Sequence, residues 1–161
     1  MIDNIIDILE KQAKIYQHLI KLSEQMQQAI TENNLKNIES LIQVESALTM
    51  KFSVLEKNRE HLVRKLEQQI NYTGENLNIV EIKKHATEQQ CLAFDSLESR
   101  MSGIILELER LNTSNRMLIK NRLDIINFSL NYLGAGENNK IYENLRKNKL
   151  TPTSKLIDES I

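Results

Sequence analysis

The sequence predicts an all-α fold: long antiparallel helices packed as a coiled-coil-like bundle, followed by a flexible C-terminal tail. Three observations predict it. The chain holds four glycines and a single proline, Pro152, so its first 151 residues contain no proline at all. Sheets and loop-rich folds need more turn punctuation than that. Apolar residues recur at steps of three and four, which is helical spacing. With 40% hydrophobic and 27% charged residues over 161 positions, the composition suits one modest core rather than a disordered chain.

The first helix is expected over Asp3 to Ile30. Its stripe is Ile5, Leu9, Tyr16, Leu19, Met26 and Ile30, flanked by Ile6, Ala13 and Ile20, with polar Gln12 and Ser23 interrupting the seam. Thr31-Glu32-Asn33-Asn34 is a polar turn in which either asparagine can cap the next helix. The second helix is expected over Leu35 to Ile70. Ile38, Leu41, Leu48, Phe52, Leu55, Leu62, Leu66 and Ile70 keep a repeat near 3.5, with Glu45 and Arg59 on the same seam. Such a repeat calls for a partner helix, and the rod would be roughly 55 Å long at 1.5 Å per residue.

The loop Asn71 to Asn76 comes next, then a short helix over Leu77 to Ala86. The last long helix is expected to start near Thr87 and to end at Leu133, where Gly134 and Gly136 can adopt the left-handed closing conformation. Gly103, inside it, either admits a neighbouring backbone or is merely tolerated. These elements define a bundle domain over residues 1–136. Residues 137–161 are polar, carry the proline and lack a sustained stripe, so a mobile tail is expected there. Ile141, Tyr142 and Leu145 keep helical spacing within it and suit a short binding helix.

The chemistry of catalysis is missing from the pattern. His18, His61 and His85 fall on three different segments, and none belongs to a Glu-x-x-His motif. Glu81 and His85 are four apart, a spacing that more often marks a surface contact than a metal site. There is no phosphate-binding glycine loop, no His-Glu-x-x-His and no Gly-x-Ser-x-Gly. Neither an enzyme nor a bound metal or cofactor is expected. Cys91 is the single cysteine, read as a small core hydrophobe.

A net charge of −1 and 4% aromatic residues argue against nucleic-acid binding. The N-terminal Met1-Ile2-Asp3-Asn4 lacks the basic start and apolar run of a secretory signal. No stretch approaches the roughly 20 apolar residues that span a bilayer. A cytoplasmic protein without membrane insertion is the expectation.

One segment departs from an ordinary bundle. Ala93, Leu97, Met101, Ile104, Ile105, Leu108 and Leu111 occupy an arc of roughly 120° on a helical wheel, the width of one buried face. From Leu118 to Leu133 the arc widens to roughly 220°. Leu118, Ile119, Leu123, Ile125, Ile126, Phe128, Leu130, Tyr132 and Leu133 share it. A rod of two or three helices does not easily cover so wide an arc, and surplus apolar surface marks an interaction site. Burial by further helices, or in a homodimer, is the competing account.

The run Leu111-Asn112-Thr113-Ser114-Asn115-Arg116-Met117-Leu118-Ile119, continuing to Leu123 and Ile126, resembles the C-terminal helix of the FlgN family. In the second helix, Leu41-Ile42, Glu45, Glu56, Arg59 and Leu62 are similar to that family's leucines with interspersed Glu and Arg. The resemblance covers about residues 1 to 135. It implies a cytoplasmic chaperone of flagellar type III export that holds the hook–filament junction proteins FlgK and FlgL and delivers them to the export apparatus. It places the protein-binding surface on the end of the last helix and the segment after it; the apolar arc and the spacing beyond it nominate Leu118, Ile119, Leu123, Ile126, Leu130, Leu133 and Tyr142 there. Many members carry a Tyr-Gly-rich segment after this helix, whereas here Leu133-Gly134-Ala135-Gly136 and Tyr142 stand in a different arrangement. The alternatives are a structural coiled-coil oligomerisation module and a chaperone for another secretion substrate.

Overall fold

A computed structural model describes residues 1–148, with side chains described as far as Tyr132. Four helices succeed one another: α1 (Ile2–Thr31), α2 (Leu35–Gln69), α3 (Ile79–Lys83) and α4 (Glu88–Asn148). The described residues contain no strand. The chain divides into two compact units, Met1–Ile119 and Lys120–Ile161, and α4 contributes to both.

Asparagine, not glycine, ends the first two helices. Asn33 and Asn71 take positive φ, at 55° and 50°. After each, the chain closes with the paired backbone bonds of a Schellman motif. Asn34 N donates to Ala29 O and Asn33 N to Ile30 O; Tyr72 N donates to Glu67 O and Asn71 N to Gln68 O. A short polar side chain tolerates this conformation better than other non-glycine residues do. Asn34 then opens α2, its side chain accepting from Asn37 N at 3.1 Å. Asn78 caps α3 in the same way through Glu81 N. Thr87 and Gln90 form a reciprocal capping box at the start of α4. In the loop between α2 and α3 the Tyr72 ring lies where a Cβ on Gly74 would stand, so a larger residue there would require that ring to shift.

Within the first unit α1 is the central helix. Contacts of Gln12 with Glu56 and of Tyr16 with Phe52 set α2 antiparallel to it. Pairs Asp3–Gln90, Glu10–Arg100, Ser23–Asn112 and Gln27–Ser114 set the first part of α4 parallel to it. Being packed on two sides, α1 buries a second seam, Ile8, Ile15, Leu22 and Ala29, beside the expected one. One apolar cluster joins Ile2, Ile5, Leu66, Leu77, Ile82 and Phe94. Another joins Leu22, Met26, Ala29, Ile30 and Leu41, with Leu19, Ile38 and Leu118 against it. The 3.5 repeat of α2 faces inward as expected, but only Leu41 and Leu66 are fully buried, since a three-helix rod half-covers its outer seams.

Several expectations change. The last helix does not stop at Leu133; it continues through Gly134 and Gly136 to Asn148, so the expected domain boundary at 136 falls inside α4. A helical glycine costs about 1 kcal/mol without forbidding propagation, and the Glu, Lys, Leu and Arg residues beyond it favour the helix. Ile141, Tyr142 and Leu145 thus belong to α4 rather than to a separate short helix. The rest of the expected tail, residues 149–161, lies outside the described residues. The short helix is five residues, not ten. Cys91 is half-buried rather than core, its thiol donating to Lys83 O at 3.5 Å. Around Gly103 nothing lies within 4 Å of an added Cβ, so no backbone approaches there.

Candidate protein-binding surfaces

The second unit holds the larger part of the apolar arc. From Lys120 to Tyr132 every residue is exposed except half-buried Arg122. Leu123, Ile126 and Leu130 succeed one another at steps of three and four, each more than half exposed. Ile125, Phe128 and Tyr132 are exposed as well, Phe128 at 72% and Tyr132 at 76%. A helical segment with this much apolar surface and no buried side chain has no core of its own to bury it.

The other expected site residues are placed differently. Leu118 is half-buried against the Leu22–Leu41 cluster of the first unit. Ile119, 44% exposed, lines a groove of about 380 Å³ in that unit with Met26, Ile38, Ile42 and Asn115. Leu133 and Tyr142 have their side chains outside the described residues.

Asn112 and Asn115, the asparagines of the motif, are bundle contacts. Ser23 Oγ donates to Asn112 Oδ1 at 3.0 Å, and Asn115 Nδ2 donates to Ser23 O at 2.8 Å. Asn115 Oδ1 is buried without a partner, a cost that a buried acceptor normally avoids.

Midway along the first unit Gln12, only 2% exposed, donates to Glu56, which also holds Arg59. The Arg59 hydrogen bond keeps the Glu56 carboxyl below its ordinary range, with a further contribution from Gln12. Burial, and then the Glu56 charge, pushes the Tyr16 phenol up. These groups lock helices together; they do not converge on a cleft where a substrate's reacting atom would sit. Glu81 pairs with Lys84 at 2.7 Å. Among the described residues no group of His, Cys, Asp and Glu is placed to hold a metal ion, and no helix is long and apolar enough to cross a membrane.

Reading by seam alone missed the exposed apolar residues of α2, among them Ile42, Val44, Met50 and Val54. Their signal was present as apolar positions falling between those of the 3.5 repeat.

The described residues form an all-α bundle whose last helix leaves apolar side chains exposed. Residues 1–148 match the FlgN protein family, and the chain belongs to it. The family is one of flagellar export chaperones. The chain is also similar to the "Uncharacterized protein YvyG" of Bacillus subtilis (strain 168), with 24% identity over 153 residues covering 94% of this chain and 92% of that one. No solved structure matches.

Proposed function

We propose that this chain is a cytoplasmic chaperone that holds the amphipathic terminal helices of FlgK/FlgL-like junction proteins and presents them, still unfolded, to the flagellar type III export apparatus. The observation that carries this reading is the exposed apolar surface at Leu123, Ile126 and Leu130, with Ile125, Phe128 and Tyr132 beside it. An amphipathic cargo helix laid on that surface would bury its own apolar face and be kept from aggregating. Ordering the cargo offsets part of the contact energy, which leaves an affinity compatible with release. The proposed cargo set leaves out Leu118, which packs against the Leu22–Leu41 cluster.

The test is the triple variant Leu123→Ser, Ile126→Ser, Leu130→Ser, assayed for melting temperature and for binding to a FlgK-like C-terminal segment. Each lost side chain removes roughly 1.5–3 kcal/mol if fully buried in the complex. Two such losses weaken binding about a hundredfold or more. Binding lost with the melting temperature retained is the expected result. Unchanged binding, or lost binding with collapse of the fold, counts against it. A wild-type dimer that the same changes convert to monomer would favour an oligomerisation module instead.

A further inference from the structure

The first unit carries a second apolar concavity, distinct in composition from the apolar arc of α4. It is a groove of about 520 Å³ between α1 and α2. Buried Ile15 forms its floor, and Met50 and Val54, 69% and 59% exposed, form its wall. Its rim is Lys11, Lys14 and Lys51, with no acidic residue among the lining groups. Lys11 is held by Asp7 at 2.6 Å. Lys14 and Lys51 have no ion pair among the described residues, whereas Arg59, Lys83, Arg100 and Arg110 each have one. Two unneutralised cations therefore flank exposed aliphatic surface.

We propose that this groove docks a second protein partner through an amphipathic helix whose apolar residues, one turn apart, are flanked by Asp or Glu. The apolar pair would fill the space over Ile15 between Met50 and Val54, and the acids would meet Lys14 and Lys51. Charge of one sign around an apolar patch selects the oppositely charged partner and repels like-charged ones. The same rule disfavours a second copy of this chain, because a two-fold contact across this face would set lysine against lysine. A lipid surface is disfavoured by the small number of cations, since polybasic membrane segments use several. The site shares no residue with the proposed cargo surface.

Two synthetic helical peptides with the same leucine stripe, one flanked by Glu and the other by Lys, serve as probes against the full chain, read by fluorescence anisotropy. The Glu-flanked peptide is expected to bind at least about tenfold more tightly, with affinity falling as salt rises. Lys14→Glu with Lys51→Glu should reverse the preference, and Val54→Ser should weaken both peptides. Leu123→Ser with Ile126→Ser should leave the preference intact, which separates this proposal from the cargo reading. Because all these side chains are exposed, circular dichroism is expected to be unchanged. Equal binding of both peptides, no binding of either, or a preference that survives charge reversal would overturn the proposal. So would capture by phosphatidylglycerol vesicles with the same lysine dependence but no peptide binding, or a dimer abolished by the lysine changes.

Discussion

Gln12 and Ser23 occupy seam positions of α1 where an aliphatic residue is the usual choice, and each is satisfied by a bond that crosses to another helix. Such pairs fix which residues face each other along otherwise similar apolar seams. Glu56 is central to one of them, and its lowered carboxyl pKa gives a testable pH dependence. Its contribution is present above the carboxyl's ordinary range and is lost as pH falls through the depressed folded value. Partial exposure of the side chain keeps the effect small. Melting temperatures of the wild type and Glu56→Gln, followed from neutral to acid pH, should therefore converge on acidification; a gap that stays constant would contradict this. Phe94 offers the sharper single-residue test. It is 1% exposed at the junction of α1, α2 and α3 with the start of α4. Phe94→Ala should cost about 3–5 kcal/mol in denaturant unfolding, and a loss under about 1 kcal/mol would show that this cluster does not hold the bundle end.

The helices are defined at their ends by side chains that bond to backbone, and in their middles by seams. Asn34 supplies the α2 cap. Asn34→Ala should destabilise the fold by about 0.5–2 kcal/mol, with Asn34→Ser close to the wild type. Gly103 is the opposite case, a helical position with open space around it and no positive φ. Gly103→Ala should stabilise the protein by about 0.5–1 kcal/mol through higher helix propensity and a less flexible unfolded chain. Destabilisation there would mean that some contact on this face needs a bare backbone.

Across the whole molecule, burial is concentrated in one unit. Every buried side chain among the described residues belongs to Met1–Ile119. Local opening is easiest where few apolar contacts hold a helix. Native-state hydrogen exchange should therefore be slowest in the α1 seam and much faster from Lys120 to Tyr132 in the free monomer. Added junction-protein segment should slow the latter region selectively. Uniform protection along α4 without cargo would show instead that a second copy already covers it.

Helix content was legible in the sequence because proline is missing before position 152 and because the seams of α1 and α2 repeat at helical spacing. The inward face of α2 was legible for the same reason, as was the apolar excess at Leu123, Ile126 and Leu130; of the face expected for α4 up to Leu111, Leu97 and Leu111 are buried, but Ile105 is exposed and the buried Phe94 falls outside it. Periodicity records which residues avoid water, but not which neighbour covers them. Only the tertiary structure decided that α1 lies between two partners and so buries Ile8, Ile15 and Leu22 as a second seam. It decided that Leu118 is already occupied by the bundle, and that Met50 and Val54 stay uncovered beside two unpaired lysines. It also separated the stop at Asn33 from the continuation through Gly134, because a residue's tolerance of left-handed backbone permits a helix to end without requiring it to.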